Sequence, residues 1–569
     1  MDLRFRDARP TAEERAAVDA LLGPPATAWD GGARTETGLR SAARAEPARD
    51  LLLPALHAVN DRVGWISEGA LDYICRRLTV PPAEAYGVAS FYSLFSLSER
   101  PARVLHVCTD LACQARGASE VRRGVEERLG PPGRDWQESP CLGLCERAPA
   151  CLSLEAGASA DAEPAVAAAV PQAGQPDLVL LRRIGVVDPA SLDDYRAQGG
   201  YQALRRAFQL GPAGVIREVT EAGLVGRGGA AFPTGRKWEA TARQPDHPHY
   251  LVCNADESEP GTFKDRVIME GDPYALIEAM TIAAYANGCA KGYLYIRGEY
   301  PRARAALENA MATARSRGLL GADILGQGFA FDIEVRRGAG AYICGEETAI
   351  FNSIEGYRGE PRTKPPFPVE KGLFGKPTVV NNVETLVNVL PILERGPEAY
   401  RAAEPKLFCV SGNIVKPGVY ELPFGATLRD LLTLAQPTGE VRAVLLGGAA
   451  GAFVTDPDIP LTFEGTRAAG ATLGSGVVLV LDTSVDLKAM LLRIAEFFRD
   501  ESCGQCVPCR VGTVRQEEAL HRLSQRVDAS DLLLLREVGQ TMRDASICGL
   551  GQTAWNAVES AIDRLGVFT

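Results

Sequence analysis

Residues 501–510 read ESCGQCVPCR, and this stretch decides how the last part of the chain folds because it sets Cys503, Cys506 and Cys509 three residues apart. A fourth cysteine, Cys548, follows 39 residues later in ASICGLGQ. Three closely spaced thiolates with a remote fourth are a recurrent way to hold a [4Fe–4S] cluster, which needs one ligand at each corner. Zinc is the alternative, although zinc sites usually use two separated cysteine pairs.

A second cysteine group lies far upstream and consists of two pairs, Cys108 with Cys113 and Cys141 with Cys145. Two pairs of thiolates suit a [2Fe–2S] cluster, with one pair for each iron. On spacing alone, zinc is a stronger competitor here. In a reducing cytosol, clustered cysteines are more often metal ligands than disulfides, and we expect the six scattered cysteines to be small buried hydrophobes.

The composition describes an ordinary multidomain globular protein. At 569 residues the chain is too long for one core, and 46% hydrophobic with 23% charged residues is typical of globular proteins. A formal net charge of −11 argues against nucleic acid as the main partner. No stretch approaches the roughly 20 apolar residues that span a bilayer, and the N-terminus lacks a signal peptide's apolar segment. We therefore expect a cytoplasmic protein without direct membrane insertion.

The pattern of apolar runs divides the chain into six parts. Alternating strand-like and helix-like runs in the largest part favour an α/β domain with a mostly parallel sheet. The predicted parts are an N-terminal extension (1–48), a helical bundle with a cysteine-bearing domain (49–155), a linker (156–199), the α/β domain (200–404), a small β-rich module (405–483) and a helical cluster domain (484–569).

The α/β part opens on a glycine-rich stretch, GRGGAAFPTGRKW at 226–238. It matches the G-x-G-x-x-A dinucleotide pattern, but it follows a helix-like run and leads into Phe232-Pro233, whereas the fingerprint should follow a strand and open a helix. The stretch does supply flexible backbone for close approach to a phosphate, with Arg227 and Lys237 as counter-charges.

Three further polar motifs follow in the same domain. CNADESEPGTFKD (253–265) concentrates acids and an amide, RRGAGAYICGEETA (336–349) ends in paired glutamates, and 362–386 carries Lys364, Phe367 and paired asparagines. Glu259 stands where a calcium loop demands Gly, which leaves solvated surface acids as the other reading. Acids and amides are also what ribose or ribityl hydroxyls need, while Lys364 and Phe367 suit a nicotinamide nucleotide by charge and stacking.

A nucleotide site beside two iron–sulfur clusters implies a flavin. NADH gives up two electrons as hydride, whereas each cluster accepts one electron at a time. A flavin accepts a hydride and releases single electrons, so it is the expected converter.

These motifs resemble a known family over most of the chain. Residues 50–155, with GWISEGAL, GVASFYSLF and CLGLCERAPA, look like the thioredoxin-like [2Fe–2S] subunit of respiratory complex I. Residues 200–569 resemble its 51-kilodalton-type NADH-binding flavin subunit through the four motifs above and ESCGQCVPCR. The resemblance implies a multidomain α/β protein with a Rossmann-like FMN- and NADH-binding domain, a ubiquitin-like β-grasp module and a C-terminal helical bundle that holds the [4Fe–4S] cluster.

The resemblance also implies the binding residues. FMN would be held by Gly226, Arg227, Gly228, Lys237, Asn254, Asp256, Glu257, Tyr342, Gly345, Glu346, Asn381, Asn382 and Thr385. NADH would be contacted by Phe232, Glu259, Glu347, Lys364 and Phe367. Hydride transfer between stacked rings needs positioning and no acid or base, so we expect no catalytic side chain.

Two residues depart from the family pattern. Ala231 stands where the family usually has Gly, which adds a methyl group near the expected nucleotide contact. Ala240 stands where a relative places an aromatic near the adenine, which puts that contact in doubt.

The fused arrangement bears on the partner. Fusion of the two cluster-bearing modules resembles the beta subunit of cytosolic NAD-dependent formate dehydrogenase, and we expect a molybdopterin-type catalytic subunit with further iron–sulfur clusters as partner. An NAD-reducing hydrogenase and complex I (NADH-quinone oxidoreductase) are the alternatives. Two other classes stay open, a non-catalytic scaffold subunit with a degenerate flavin site and a zinc-binding module.

Overall fold

The computed structural model describes residues 8–25, 48–157 and 166–568. Most of the predicted N-terminal extension (1–48) and the start of the predicted linker (156–199) lie outside these ranges. The first helix, Ala12–Leu22, begins at a capping box of Thr11 and Glu14. It packs on a helical bundle formed by Leu52–Val63, Glu68–Leu78 and Pro82–Ala89.

The first cysteine group lies on a three-stranded sheet. Its strands are β1 (Arg103–Cys108), β2 (Trp136–Ser139) and β3 (Cys151–Glu155), in the order β2-β1-β3, and helices Leu111–Ala115 and Ala118–Leu129 connect β1 to β2. Strand β1 runs parallel to β2 and antiparallel to β3. The register pairs Cys108 with Ser139. The two cysteine pairs therefore meet at one end of the sheet, as the predicted cluster domain requires.

The segment predicted as a linker has several buried anchor points in the part that the structure describes. Between 166 and 199 it contains the helix Leu192–Ala197, and Leu181 and Ile184 are fully buried. Arg183 pairs with Asp272 at 2.7 Å. The carboxylate of Glu421 accepts three successive backbone N–H groups, those of residues 179–181, at 2.6–2.9 Å. This part of the chain is therefore fastened to two later domains.

The α/β domain is built on four parallel strands, β4 (His249–Ala255), β5 (Cys289–Ile296), β6 (Asp332–Arg337) and β7 (Thr378–Asn382), in the order β6-β5-β4-β7. The register places Asn254 beside Asn382 at the carboxyl ends. Three sequence motifs leave the sheet at this edge, where ligands bind in open α/β folds. The helices are Gln202–Glu221 (kinked at Gly211), Thr234–Ala242, Lys264–Gly271, Pro273–Asn287, Pro301–Ser316, Glu347–Ile354, Pro368–Lys371, Val383–Val387, Val389–Arg395 and Pro397–Ala402.

The β-rich module is a five-stranded mixed sheet with its own core. Its strands are β8 (Pro405–Gly412), β9 (Gly418–Pro423), β10 (Val441–Leu446), β11 (Ala452–Val454) and β12 (Val477–Asp482), in the order β11-β10-β12-β8-β9. Only the central β12–β8 pair is parallel. With helices Leu428–Ala435 and Phe463–Ala468, this is the ubiquitin-like β-grasp order that the resemblance implied.

The last part of the chain is a helical bundle of Leu487–Asp500, Val507–Gln525, Ala529–Ala545, Gly549–Thr553 and Asn556–Leu565. Cys506 and Cys548 are the residues immediately before two of these helices. Among the residues that the structure describes, no helix combines the length and apolarity needed to cross a bilayer.

Candidate functional site

The candidate site lies at the carboxyl edge of the parallel sheet, where hydrogen bonds join its loops. The Asn254 amide donates to the carbonyl of Gly345 at 2.8 Å, which ties the loop after β4 to the loop after β6. Trp238 donates to the Asn381 side chain at 2.8 Å, which ties the glycine-rich stretch to β7. Stretches that lie 91 and 143 residues apart in the sequence are thereby joined at this edge.

The glycine-rich stretch folds as a tight loop against β7. Its two ends are joined by a hydrogen bond from Gly226 N–H to Phe232 O at 2.9 Å, and Arg227 N–H donates to the hydroxyl of Thr385 at 2.8 Å. A Cβ at Gly228 would lie 3.2 Å from the Cβ of Asn382, so the backbone approaches closely here. Ala231 has a φ of +51°, a left-handed conformation that explains the family's usual Gly.

One predicted counter-charge of this loop is engaged elsewhere. The Arg227 guanidinium is fully buried, pairs with Glu404 and stacks on Phe424 at 5.2 Å. The charge of Arg227 is therefore neutralised by a carboxylate in the segment before β8 and is not directed at a phosphate. Its place among the FMN contacts stays a prediction. Lys237 remains available to the site, with its Nζ 3.2 Å from Val380 O and 3.4 Å from a carboxylate oxygen of Glu347.

Four of the predicted residues form an alternating chain of charges. Lys364 Nζ lies 2.7 Å from Glu347 and 3.0 Å from Glu346, while Lys237 contacts Glu347 from the other side. Glu346 also caps the helix Glu347–Ile354 by accepting two backbone N–H groups. Burial alone would raise the pKa of Glu347, but Lys237 and Lys364 outweigh it and hold the pKa below its ordinary value. The four side chains are thus held in one connected chain of ion pairs.

Two large aromatic side chains of the predicted site are exposed. Phe232 and Phe367 are 51% and 53% exposed, which leaves their ring faces free for the predicted stacking. Lys237 lies 5.8 Å from the Phe232 ring, so this ring lies beside one cation of the charge chain. The stacking role itself stays a prediction.

Glu259 connects this site to the β-grasp module and to the region of the [4Fe–4S] cysteines. Its carboxylate accepts the Tyr342 hydroxyl and the Ala450 N–H, the latter at 2.9 Å. Tyr342 N–H in turn donates to Glu501 at 2.7 Å. Removal from solvent raises the pKa of Glu259 to about 7, and it does the same to the pKa of nearby Asp256.

Glu257 faces the other way. Its carboxylate accepts the N–H groups of Asp265 and Arg266 at 3.0 and 2.9 Å and the Tyr300 hydroxyl at 3.2 Å, which caps the helix Lys264–Gly271. Burial raises its pKa to about 8. The side chain predicted to bind FMN is therefore engaged by the protein, because the helix that follows its loop needs a cap.

Behind the site lies a buried charge network that the sequence did not reveal. Glu384 pairs with Lys264 at 3.1 Å and with Lys406 at 2.9 Å, and Asn382 donates to Asp265 at 2.6 Å. Burial lowers the pKa of Lys406 to about 8. Lys264, Asp265 and Glu384 all stand inside the quoted motifs, but sequence cannot tell a buried pair from surface charge.

The first cysteine group converges in the three-stranded domain. All four cysteines are buried, and the sulfurs of Cys141 and Cys145 are 3.3 Å apart. Backbone N–H groups of Gly143 and Ala150 point at the sulfurs of Cys141 and Cys113, each at 3.4 Å. Such donors suit sulfurs that carry negative charge.

The second group converges in the helical bundle, where the thiol of Cys509 lies in the field of the other three. Within the described ranges, one set of three potential metal-ligand side chains has its ligand atoms within 4.8 Å of one another, and it consists of Glu496, Glu517 and His521. In neither cysteine group do three sulfurs lie within that distance of one another. Around one zinc ion the sulfurs would lie about 3.8 Å apart, given 2.3 Å bonds. In neither group, therefore, do three sulfurs lie as close together as they would around one zinc ion.

Comparison with known proteins decides the family. A model of the Nuo51 FMN-binding domain matches residues 219–391, a thioredoxin-like [2Fe–2S] ferredoxin model matches 40–166, and a model of the NADH-ubiquinone oxidoreductase-F iron–sulfur binding region matches 489–566. The F subunit of NADH-quinone oxidoreductase in Aquifex aeolicus is 46% identical over 400 residues, which are 68% of this chain and 92% of the relative. The chain belongs to the family of 51-kilodalton flavin subunits.

Other members of the 51-kilodalton family serve different enzymes. The HndC subunit of the NADP-reducing hydrogenase of Solidesulfovibrio fructosivorans is 41% identical over 398 residues, covering 68% of this chain and 81% of the relative. Among solved structures, a chain of the air-oxidised NAD⁺-reducing [NiFe]-hydrogenase superposes with a TM-score of 0.77 at 32% identity. That likeness covers 92% of this chain and 94% of the other, so it extends over both cluster-bearing regions.

As a fused 51-kilodalton-type subunit, the chain is an NADH dehydrogenase-type oxidoreductase with FMN, a [2Fe–2S] and a [4Fe–4S] cluster as cofactors. The predicted thioredoxin-like, FMN-binding and [4Fe–4S] regions are thereby confirmed. The two cysteine groups fit their clusters by number and chemistry. The acids, amides and cations at the sheet edge fit a flavin nucleotide, whose ribityl chain and phosphate need such partners.

Proposed function

We propose that this chain exchanges electrons between NAD(H) and a partner subunit with iron–sulfur clusters of its own. The observation that carries the proposal is the Glu259–Tyr342–Glu501 chain of hydrogen bonds, which links the nucleotide-facing loop to the residue two positions before Cys503. A bound FMN supplies the chemistry that converts a hydride into single electrons. These hydrogen bonds support a proposed nucleotide site that lies next to the proposed outgoing cluster.

The chain's own residues bind and orient. The proposed FMN contacts are the glycine-rich stretch, the loop after β4 and the residues around Asn381, Asn382 and Thr385. The proposed NADH contacts are Phe232 and Phe367 for stacking, Lys364 for charge, and Glu259 and Glu347 for hydroxyl groups. Since the half-exposed Phe232 lies beside Lys237 of a preformed charge chain, we expect the bound nucleotide to be held in one orientation, with the reacting rings aligned without an acid or base.

For the outgoing electrons we propose the [4Fe–4S] cluster on Cys503, Cys506, Cys509 and Cys548 as the exit. Cys503, Cys506 and Cys548 keep partial solvent exposure, whereas all four cysteines of the [2Fe–2S] group are buried. An exposed cluster edge is what a partner subunit needs. The buried [2Fe–2S] group suits a store beside the flavin.

The identity of the second substrate rests on the partner. The formate dehydrogenase partner expected from the fused arrangement remains a proposal. A hydrogenase-type partner is the second candidate, and one observation favours it: a solved chain that matches this one nearly end to end belongs to an NAD⁺-reducing [NiFe]-hydrogenase.

Two experiments test the proposal. The purified holoprotein should reduce ferricyanide with NADH and contain flavin, iron and acid-labile sulfide; protein with zinc and no flavin would refute the electron-transfer function. Affinity purification from the native cells, followed by mass spectrometry and metal analysis, decides the partner. A co-purifying subunit with molybdenum or tungsten supports formate dehydrogenase, and one with nickel supports hydrogenase.

A further inference from the structure

Arg297 lies between the [2Fe–2S] ligand loop and the flavin-site loop. Its Nη2 donates to the carbonyl of Cys141 at 2.7 Å, and its Nη1 donates to the carbonyl of Glu257 at 2.7 Å. The side chain is only 3% exposed, so both contacts are made away from water. One guanidinium therefore joins a proposed cluster ligand to the loop that carries the proposed flavin contacts.

A buried carboxylate balances this cation. Glu299 accepts from Arg297 Nη2 at 2.9 Å and from its Nε at 3.2 Å, and the Glu299 side chain is 7% exposed. Both charged residues lie in the short turn after β5. They have opposite charges at nearly the same position. Two opposite charges thus stand together beside the [2Fe–2S] ligand loop.

Other contacts fasten the ligand loop but differ from Arg297 in kind. Arg266 donates to the Gly143 carbonyl at 2.9 Å and pairs with Glu146 at 2.6 Å, which neutralises it within the cluster domain's own loop. Gly143 N–H donates to the Cys141 sulfur at 3.4 Å and carries no net charge. Arg297 is the cation that reaches both loops while its counter-ion belongs to the α/β domain.

The effect of such a pair on a cluster has a definite sign. Reduction adds one negative charge to the cluster, and a nearby cation in a low-dielectric interior stabilises that charge. A nearby anion does the opposite. Removing the cation should lower the reduction potential, and removing the anion should raise it.

We propose that Arg297 is a positioning residue that sets the reduction potential of the [2Fe–2S] cluster relative to the flavin. The negative charge of Glu299 opposes the effect of Arg297 on this potential. The proposal rests on the ligand assignment made above for Cys141. Because Arg297 lies outside the cluster domain, the α/β domain adjusts the reduction potential of the buried cluster. It thereby controls how much of the [2Fe–2S] cluster is reduced.

The test is a redox titration of the holoprotein, read by the electron paramagnetic resonance signal of the [2Fe–2S] cluster. Arg297→Gln should lower the ratio of reduced to oxidised cluster at a fixed ambient potential about tenfold, which is about 59 mV for a one-electron couple. Glu299→Gln should shift the potential upward. Arg297→Lys, which keeps the charge, should restore most of the wild-type value.

Opposite shifts separate the electrostatic role from a packing role, because loosened packing gives no reason for the sign to follow the charge removed. Arg315→Gln is the matched control, since Arg315 pairs with Asp332 at the surface, and it should leave the potential unchanged. If Arg297→Gln does not fold, Glu299→Gln still decides by its upward shift. Shifts of the same sign, or none with the signal intact, overturn the proposal.

The ligand assignment is tested separately by Cys141→Ser. Loss or alteration of the [2Fe–2S] signal supports the assignment, and an unchanged signal overturns it together with the proposal. An unshifted potential in Arg297→Gln and Glu299→Gln, alongside an altered signal in Cys141→Ser, defeats the role of Arg297 alone.

Discussion

Glu259 should make nucleotide binding depend on pH. Removal from solvent raises its pKa to about 7, so the carboxyl is neutral below that pH and charged above it. The ionised carboxylate is the stronger acceptor for a nucleotide hydroxyl, and KM for NADH should therefore fall as the pH increases from 6 to about 8. Glu259→Gln should flatten that fall. Steady-state kinetics across this range measures it, and an equally steep fall in the variant would rule the assignment out.

The raised pKa of Glu259 also makes the stability of the protein depend on pH. The sign is opposite to that for an ion-paired carboxylate, whose pKa is lowered. Between the ordinary glutamate pKa and about 7, the folded state binds more protons than the unfolded state, so stability falls as the pH increases through this window. Glu259→Gln removes this loss. Its gain in thermal midpoint over the wild type should be larger at pH 8 than at pH 5, with surface variant Glu239→Gln as the control.

Lys364 should contribute to NADH binding through the charge chain that it completes. Lys364→Met leaves Glu346 and Glu347 without their shared cation, so two carboxylates face the incoming nucleotide. We expect KM for NADH to rise on the order of tenfold, as for one lost charge-assisted contact of about 1.4 kcal/mol. Lys376→Met removes a lysine that pairs with Asp246, and it should leave KM unchanged. Equal effects of both variants would contradict the assignment.

The loop between β4 and the helix Lys264–Gly271 depends on Gly261. Its φ is +99°, and a Cβ there would lie 2.6 Å from a methyl carbon of Val477. Gly261→Ala should therefore strain the loop by more than the roughly 1–2 kcal/mol of a left-handed residue alone. The flavin-to-protein ratio of the purified variant should fall. Gly318→Ala, also at positive φ but with open space, separates backbone strain from the clash.

Strand ends were the part of the site that sequence could predict. Motifs rich in acids and amides after buried strands indicated ligand loops, and parallel register brings Asn254 beside Asn382. The sequence could not predict side-chain direction within a loop. Glu257 and Glu259, two residues apart, have the same chemistry, and the helix that follows is capped by Glu257. The sequence gave no indication of the role of Arg297, because the two carbonyl groups that it contacts lie 40 and 156 residues away in the chain.

The packing of residues 166–199 was missed for a similar reason. The stretch at 158–177 is rich in Ala and Pro and low in aromatic residues, so the sequence indicated a linker over 156–199. The contacts that hold the segment come from Glu421 and Asp272, which belong to other domains. Because these partners are remote in sequence, local composition carries no trace of them.

Across the whole molecule, the C-terminal bundle helps to hold the [2Fe–2S] domain in place. Arg493 of the helix Leu487–Asp500 lies 3.5 Å from Asp110, and Asp110 accepts the Cys141 N–H at 3.1 Å. Asp110 is 1% exposed, so the loss of its cation would leave a buried carboxyl beside the ligand loop. The fastening of one cluster domain therefore depends on the domain that holds the other cluster.

Arg493→Met should release the [2Fe–2S] cluster before the [4Fe–4S] cluster. Breaking a buried pair on one side costs about 3–5 kcal/mol, and that cost falls on the loop of Cys141 because Asp110 holds it. On gradual warming, the [2Fe–2S] resonance signal should fade at a lower temperature than in the wild type, while the [4Fe–4S] signal and bound flavin persist. Arg515→Met, on the neighbouring helix and paired at the surface with Glu518, should behave like the wild type. Simultaneous loss of both clusters in Arg493→Met would contradict the prediction. It would mean that the domains unfold as one unit and that Asp110 does not hold the Cys141 loop locally.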